Sequence, residues 1–536
     1  GGLIGVLFRR LVVILTFFFF TTGPEVFSFL GPFAVVPIPA AGGLLVGLIV
    51  HFWLREIRGH GVPEVMYALT KTGGRLSPKV IIGKPLAAAI CIGSGGAVGR
   101  FGPIVHTGAA VGSTLGQMLR LPTQWIRILV AAGAATGISA TFNAPLSGVF
   151  FTLELLTISY ASYGLPFIVV ASVVGEIVTS LFFGMGPLFD LPDAFTISHF
   201  AEMCIFLLLG AGTALVGFLF IRILHFSEDL FEGMRRIPEW LRPVFGGLIV
   251  GFIGLYSYDL FGLGDGNVPW ESTMSIHDAL NGGIPFAALF VLIGLKLIAT
   301  SSSIGSGGSG GVFAPILYLG SMTGLVFGYL ALLFFPGANV SSYVLVGAAA
   351  LFAGVARAPL TAIILIVELT QTYSLIIPVI IAVFTSSELL KLLSRETIYT
   401  EKLKRKGVDI LRLTSSKLAT GISVGDIMTV DPETVRSSET IGVVREKLHR
   451  SRQHGLPVLD EDGDLYGIVT RRDLEGETGG GGSPKAGTGQ EERTGPGAAA
   501  GRSGSRKTEP VPAAALPADD SAVGEVCTTC PITAFP

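Results

Sequence analysis

Gly93-Ser-Gly-Gly-Ala-Val-Gly-Arg-Phe-Gly-Pro103 and Gly305-Ser-Gly-Gly-Ser-Gly-Gly-Val-Phe-Ala-Pro315 are the two stretches that decide how this chain is built. Each opens on Gly-Ser-Gly-Gly and closes on X-Phe-X-Pro. The offset of 212 residues that superimposes them also pairs Lys84 with Lys296, Phe101 with Phe313, Pro103 with Pro315 and Gly108 with Gly320. A second offset, 214, pairs Asn143-Ala-Pro-Leu146 with Arg357-Ala-Pro-Leu360, Gly133 with Gly347 and Glu154 with Glu368. So many matches in one order define two related halves. Transporters and channels are often built this way, with broken helices meeting at a central site.

The chemistry of the two stretches follows from their residues. Glycine permits a tight backbone with no Cβ in the way, and proline suits the first turn of a helix. The N–H groups just before and inside that turn lack intrahelical acceptors and sit at the positive end of the helix dipole. Two such ends aimed at one place make an anion site out of backbone. Broken backbone of this kind is tolerated at membrane depth only where it lines a cavity or is buried.

Composition agrees with a membrane setting. Hydrophobic residues make up 50% and charged residues 14% of the 536 positions, against about 25% charged in a soluble domain. Mean hydropathy is +0.65, which excludes a disordered chain, and four cysteines are too few for a disulfide scaffold. A net charge of −2 argues against a nucleic-acid partner. Apolar segments occur at 3–20, 33–54, 166–183, 205–220, 244–256, 284–299, 322–335, 343–352 and 360–386. Several fall short of the ~20 residues that cross a bilayer core, and many are broken by Gly or Pro. Arg9 and Arg10 inside the first segment are expected to snorkel or to face protein. No charged leader precedes that segment, which reads as a chain lacking its true N-terminus. The basic cluster Lys402-Leu-Lys-Arg-Lys406 is expected to stay cytoplasmic.

The charges also give the sign of the permeant ion. No acidic residue lies between Glu64 and Glu154, while Lys71, Arg75, Lys79, Lys84, Arg100, Arg120 and Arg127 do. None lies between Asp278 and Glu368, where Lys296 and Arg357 remain. A cation pathway would place carboxylates in these segments. An anion pathway leaves them out.

At this point a family resemblance becomes specific. Gly59-His-Gly-Val-Pro63, Gly99-Arg-Phe-Gly-Pro103 and Gly311-Val-Phe-Ala-Pro315 resemble the three signature motifs of the CLC chloride channel and transporter family, over residues 1–406. That implies an all-α polytopic homodimer in the cell membrane, with one pore per subunit and an inverted repeat of tilted, partly re-entrant helices in halves at about 40–190 and 240–395. The first helix and part of the second would be missing here. Chloride would then be held by backbone N–H groups of Val312 and Phe313 and the hydroxyl of Tyr399, with Arg100, Phe101 and Gly102 of the second motif nearby.

Three departures matter. His60 stands where the family has a serine ligand, and either its ring nitrogen or the backbone around His60 and Gly61 would face the anion. Phe101 replaces the family's gating glutamate, and either gates the pathway as a hydrophobic constriction or packs aside. Leu155 replaces the internal proton-transfer glutamate. Both carboxylates that carry protons in the exchangers are thus absent, and passive, uncoupled conduction of chloride and similar small anions is the expected activity. The alternatives are a proton-coupled exchanger using other groups, such as His60 or His106, and a nucleotide-sensing membrane regulator. Glu154 and Glu368 are expected to make structural bonds, because isolated intramembrane carboxylates need partners.

From about residue 408 to 475 the pattern strand–helix–strand–strand–helix resembles a CBS domain, a cytosolic α/β module. The resemblance implies a weak adenosine-nucleotide site at Thr470 and Asp473, completed only by a second unit. Residues 476–520 read as a disordered linker. Val523-Gly-Glu-Val526 parallels Val424-Gly-Asp-Ile427, so 521–536 reads as the start of a second, truncated CBS unit. Cys527 and Cys530 have no neighbouring Cys or His to complete a metal site, and neither enzyme chemistry, a metal nor a resident cofactor is expected. Cys91 and Cys204 are assigned to helix packing.

Overall fold

The computed structural model describes residues 1–156, 161–184, 200–256, 273–281, 283–405, 407–408, 432–451 and 454–474. The chain divides into two units, Gly1–Leu418 and Ala419–Pro536.

The first unit is helical. Its first half contains α1 (Gly2–Val26), α2 (Pro37–Phe52), α3 (Val62–Lys71), α4 (Val80–Gly93), α5 (Phe101–Met118), α6 (Thr123–Phe142), α7 (Pro145–Phe151) and α8 (Ala161–Phe183). The second half contains α9 (Glu202–Gly233), α10 (Arg242–Tyr256), α11 (Thr273–Leu280), α12 (Phe286–Gly305), α13 (Phe313–Phe334), α14 (Val340–Ala356), α15 (Pro359–Thr370), α16 (Ile376–Leu393) and α17 (Thr400–Arg405). Among the described residues, seven helices are long and apolar enough to cross a membrane, and six apolar ones are shorter. The expected mixture of full and partial spans is present.

The repeat is visible in matched contacts. α6 and α14 both end on a non-glycine residue in the left-handed conformation, Asn143 at φ 53° and Arg357 at φ 54°. Each is followed by Ala-Pro, and the proline opens the next short helix. Gly108 of α5 lies so close to Gly133 of α6 that a Cβ on either would strike the other's carbonyl, and Gly320 and Gly347 repeat that contact between α13 and α14. Small residues at such crossings let helix backbones approach.

The two halves then exchange caps. Glu154, in a π-turn continuing α7, accepts hydrogen bonds from the N–H groups of Leu360 (2.9 Å) and Thr361 (2.8 Å) and from Thr361 Oγ1 (2.5 Å). Glu368 of α15 accepts from the N–H groups of Leu146 (2.9 Å) and Ser147 (2.7 Å) and from Ser147 Oγ (2.5 Å). Each carboxylate thus sits at the N-terminus of the other half's short helix, where dipole and N–H donors favour it. Glu154→Ala is expected to remove about 2–4 kcal/mol, since bonds to a charged acceptor are worth about 1.5–3 kcal/mol and donors would be left unpaired. Glu368→Ala should match it within error. Thermal unfolding of each variant in detergent checks both the size and the equality.

Three sequence expectations need correction. The apolar segment 360–386 is two helices, because Gln371 takes φ 54° after Thr370 and the chain restarts at Ile376. α5 and α6 fell outside the apolar segments, since their glycine, alanine and threonine dilute hydropathy; both are nevertheless largely buried against neighbours. Cys91 is buried as expected, but Cys204 is exposed on α9. Arg9 faces protein, its guanidinium 4.1 Å from the Phe183 ring centroid.

The second unit shows β1 (Val435–Arg436), α18 (Ile441–Ser451), β2 (Gly455–Leu459), β3 (Leu465–Thr470) and α19 (Arg471–Leu474). This is the strand–helix–strand–strand–helix order read from the sequence. β2 is central, parallel to β1 and antiparallel to β3. Its core is Val435, Ile441, Val444, Leu448, Leu456, Val458, Val469 and Leu474. The linker at 476–520, the second unit at 521–536 and Cys527 and Cys530 lie outside the described residues.

Candidate anion site

Three helix N-termini meet through their glycine loops. Gly59 N–H donates to Gly308 O at 3.2 Å and Gly310 N–H returns to Gly59 O at 3.3 Å, joining the loop before α3 to the loop before α13. Gly99 and Gly311 exchange both backbone bonds, at 2.7 and 2.6 Å, joining the loops before α5 and α13. Gly61, at φ +90°, packs on the Gly102 carbonyl, and a Cβ on Gly102 would strike the His60 carbonyl. The backbones of His60, Gly61, Gly102 and Gly311 therefore touch with no room for side chains.

The repeat lines up the first turns. Ile104 N–H bonds to Arg100 O (3.2 Å) and Ile316 N–H to Val312 O (3.0 Å), so α5 and α13 begin at Phe101 and Phe313. By helix geometry the N–H groups of Phe101 and Gly102, and of Phe313 and Ala314, have no acceptor within their own helix. The third terminus differs. Gly61 N–H donates to Glu64 Oε2 at 3.0 Å, so this donor is engaged within its own helix start.

Charged side chains organise this centre. Lys84 is fully buried on α4, and its Nζ donates to Ile57 O (2.8 Å), Gly59 O (2.6 Å) and Ser309 Oγ (3.0 Å). One ammonium thereby holds the loop carrying His60 against the loop preceding α13. Lys402 of α17 pairs with Glu64 Oε1 at 2.9 Å, which ties the segment bearing Tyr399 to α3. Tyr399 is 1% exposed, with its N–H on Thr397 Oγ1. His60 is 1% exposed, and neither ring nitrogen has a hydrogen-bond partner. Arg100 immediately precedes α5 and is buried.

Phe101 is 3% exposed and stacks on Phe313, its repeat mate, with centroids 4.3 Å apart and an interplanar angle of 23°. Phe151 meets Phe101 edge-on at 5.1 Å, Phe142 lies at 5.5 Å, and Phe352 flanks Phe313 at 4.7 Å. An aromatic cluster therefore fills the space between the two facing helix starts. Sequence reasoning placed Phe101 and Phe313 at their helix starts, but not in contact. It missed Glu64, Lys84 and Lys402 as organisers; only the Lys84–Lys296 pairing in the repeat hinted at one of them.

In the second unit, Thr470 N–H and Oγ1 both donate to Asp473 Oδ2 at 2.8 Å. The two residues are brought together, as a cap on α19.

A duplicated, polytopic membrane protein whose broken helices converge on a cationic, backbone-rich centre is the class that these features define. Residues 42–391 match the model of the voltage gated chloride channel family and residues 424–476 that of the CBS domain. The chain belongs to the CLC family of anion transport proteins, with a C-terminal CBS domain. It is 32% identical over 386 residues to a ClcB-like chloride channel protein of Ralstonia nicotianae, covering 70% of this chain and 87% of that one. It is also 32% identical over 362 residues to the H(+)/Cl(-) exchange transporter ClcA of Vibrio cholerae, covering 67% and 76%. A crystal structure of a slow cyanobacterial Cl−/H+ antiporter matches its fold at a TM-score of 0.67 and 24% identity, covering 76% of this chain and 95% of that one.

Proposed function

We propose that this protein conducts chloride and similar small anions passively, uncoupled from protons, with Phe101 as the gate. The observation that carries this reading is the Phe101–Phe313 stack. At the start of α5, where an anion would meet the N–H groups of Phe101, Gly102, Val312 and Phe313, the side chain is an aromatic ring that neither titrates nor imitates an anion. Leu155, in the π-turn after α7, is equally unable to carry a proton.

In this reading a dehydrated anion is held by backbone N–H groups at the starts of α5 and α13, by the Tyr399 hydroxyl and by His60, with Arg100 supplying positive potential. The closed aromatic cluster excludes water and ions, and rotation of Phe101 away from Phe313 admits them. The protein acts as a homodimer in the cell membrane with its CBS region cytoplasmic, and Thr470 and Asp473 contribute to an adenosine-nucleotide site only once a second CBS unit completes the cleft.

Reconstituted vesicles test the reading. With equal chloride on both sides and a pH gradient across the membrane, no net chloride movement is expected. Chloride accumulation driven by that gradient would contradict it and favour the exchanger alternative.

A further inference from the structure

α9 and α16 reach one membrane boundary side by side. Gly210 lies against Ala382 and Gly217 against Leu390, so the two helices run in the same direction. Residues 203–221 of α9 carry no charge, about the length that crosses a bilayer core, and neither do residues 376–387 of α16. The first charge beyond each, Arg222 and Glu388, marks the end of the apolar stretch. A cleft of about 570 Å3 opens there, between the last third of α9 and residues 393–405.

Phe226 and Leu393 line this cleft although they are 68% and 50% exposed. Its carboxylates are already paired. Arg405 holds Asp229 at 2.5 Å and Glu401 at 3.7 Å, and Lys404 holds Glu396 at 3.0 Å. Arg222 and Arg395 also line the cleft, and neither pairs with a carboxylate among the described residues. The Arg222 guanidinium lies instead 5.3 Å from the Phe218 ring centroid. Arg222, Arg395, Lys404 and Arg405 against Asp229, Glu396 and Glu401 leave one positive charge in excess. His225 is an independent mark of a ligand: it is 8% exposed, and its Nε2 is buried in the lining without a hydrogen-bond partner.

We infer that this cleft binds the phosphodiester of an anionic phospholipid such as phosphatidylglycerol. Arg222 and Arg395 grip the phosphate, His225 Nε2 bonds to an oxygen of the headgroup, and Phe226 and Leu393 lie beside the acyl chains. Guanidinium forks match phosphate oxygens, and basic pockets between membrane helices take anionic headgroups. The single excess charge of the cleft matches the single charge of a phosphodiester. A zwitterionic lipid would bring its own cation, and a soluble phosphate would leave Phe226 and Leu393 uncovered. Arg395 lies four residues before Tyr399, so the bound lipid ties α9 to the segment that carries that hydroxyl. The site stands whether or not chloride binds at the helix starts.

Native mass spectrometry of the full chain in detergent, titrated with phosphatidylglycerol or with phosphatidylcholine of equal chain length, tests it. Phosphatidylglycerol is expected to bind at least about tenfold more tightly, since each basic residue at a membrane surface contributes about fivefold. Arg222→Gln/Arg395→Gln should bring the two lipids to within about threefold of each other. Arg235→Gln/Arg236→Gln, exposed just past the end of α9 and outside the cleft, should keep the preference. His225→Phe fills similar volume without a polar atom and should weaken phosphatidylglycerol severalfold; if it fails to fold, the arginine variants still decide. Equal or undetectable binding of the two lipids to the wild type overturns the site. A preference that survives Arg222→Gln/Arg395→Gln, or that falls as far in Arg235→Gln/Arg236→Gln, overturns its placement in this cleft. Unchanged affinity in His225→Phe overturns the contact to the ring. Displacement of the lipid by glycerol 3-phosphate at similar concentration makes the cleft a soluble-phosphate site and overturns the lipid assignment.

Discussion

Phe101→Glu is expected to convert steady chloride flux into an acid-activated one. A carboxylate at this position would sit at the start of α5 and face the start of α13 where Phe313 now stacks. There it would meet N–H donors and positive dipole ends from both helices, which is where an anion is favoured. Ionised, it competes with chloride for the site; protonated, it releases it. Flux should be at least tenfold lower at about pH 7 than below the usual carboxylate pKa of about 4.3, with the transition near or above that value. Losing the aromatic stack removes about 0.5–1.5 kcal/mol, which a folded membrane protein should survive and gel filtration would verify. Radiolabelled chloride efflux from vesicles clamped at each pH provides the measurement. Flux that ignores pH in the variant would remove Phe101 from the pathway.

Lys84→Met should have a comparably large effect through a different route. The Lys84 ammonium is the donor that joins Ile57 O, Gly59 O and Ser309 Oγ, while Ser309 Oγ itself donates to Ile57 O at 2.9 Å. Methionine fills similar volume and offers no donor. Ile57 O and Gly59 O then lose a charged donor, a bond worth about 1.5–3 kcal/mol each, and keep only Ser309 Oγ and Gly310 N–H as partners. The loop carrying His60 would loosen from the loop preceding α13, drawing the start of α3 away from the centre that α5 and α13 keep through Gly99 and Gly311. Chloride flux is expected to fall by at least tenfold even in the fraction that folds. Lys84→Arg should not restore it, because a planar guanidinium cannot reproduce three bonds made by one compact ammonium. Wild-type flux in Lys84→Met would show that the loops hold their place without it.

Much of this architecture was legible in the sequence because duplication writes it twice. The offset pairs Gly108 with Gly320 and Gly133 with Gly347 predicted equivalent places, and the structure turns them into the same helix crossing. Glu154 and Glu368 were readable as structural carboxylates, since an acid alone in an apolar segment needs donors. Their exchange of caps was not readable. It joins residues more than 200 positions apart, and no local period encodes which helix end an acid reaches. The same limit hid the Phe101–Phe313 stack, the Lys84 bridge and the Lys402–Glu64 pair. Hydropathy misjudged α5 and α6 for a further reason: their glycines and alanines are there for close packing against protein, not for lipid. The partner of the Gly61 N–H was not read from the sequence, although a glutamate three residues into α3 that reaches back to cap its own helix is a local device that the sequence does display in Gly61-Val-Pro-Glu64.

The departures at Phe101 and Leu155 lead to one decisive quantity, the number of protons moved per chloride. The full chain should be reconstituted into vesicles loaded with chloride, and chloride and proton activities followed together after a potassium shunt is opened. Chloride is expected to leave while protons enter no faster than in protein-free vesicles. Proton entry in fixed proportion to chloride exit would contradict uncoupled conduction and require a titratable carrier elsewhere in the pathway.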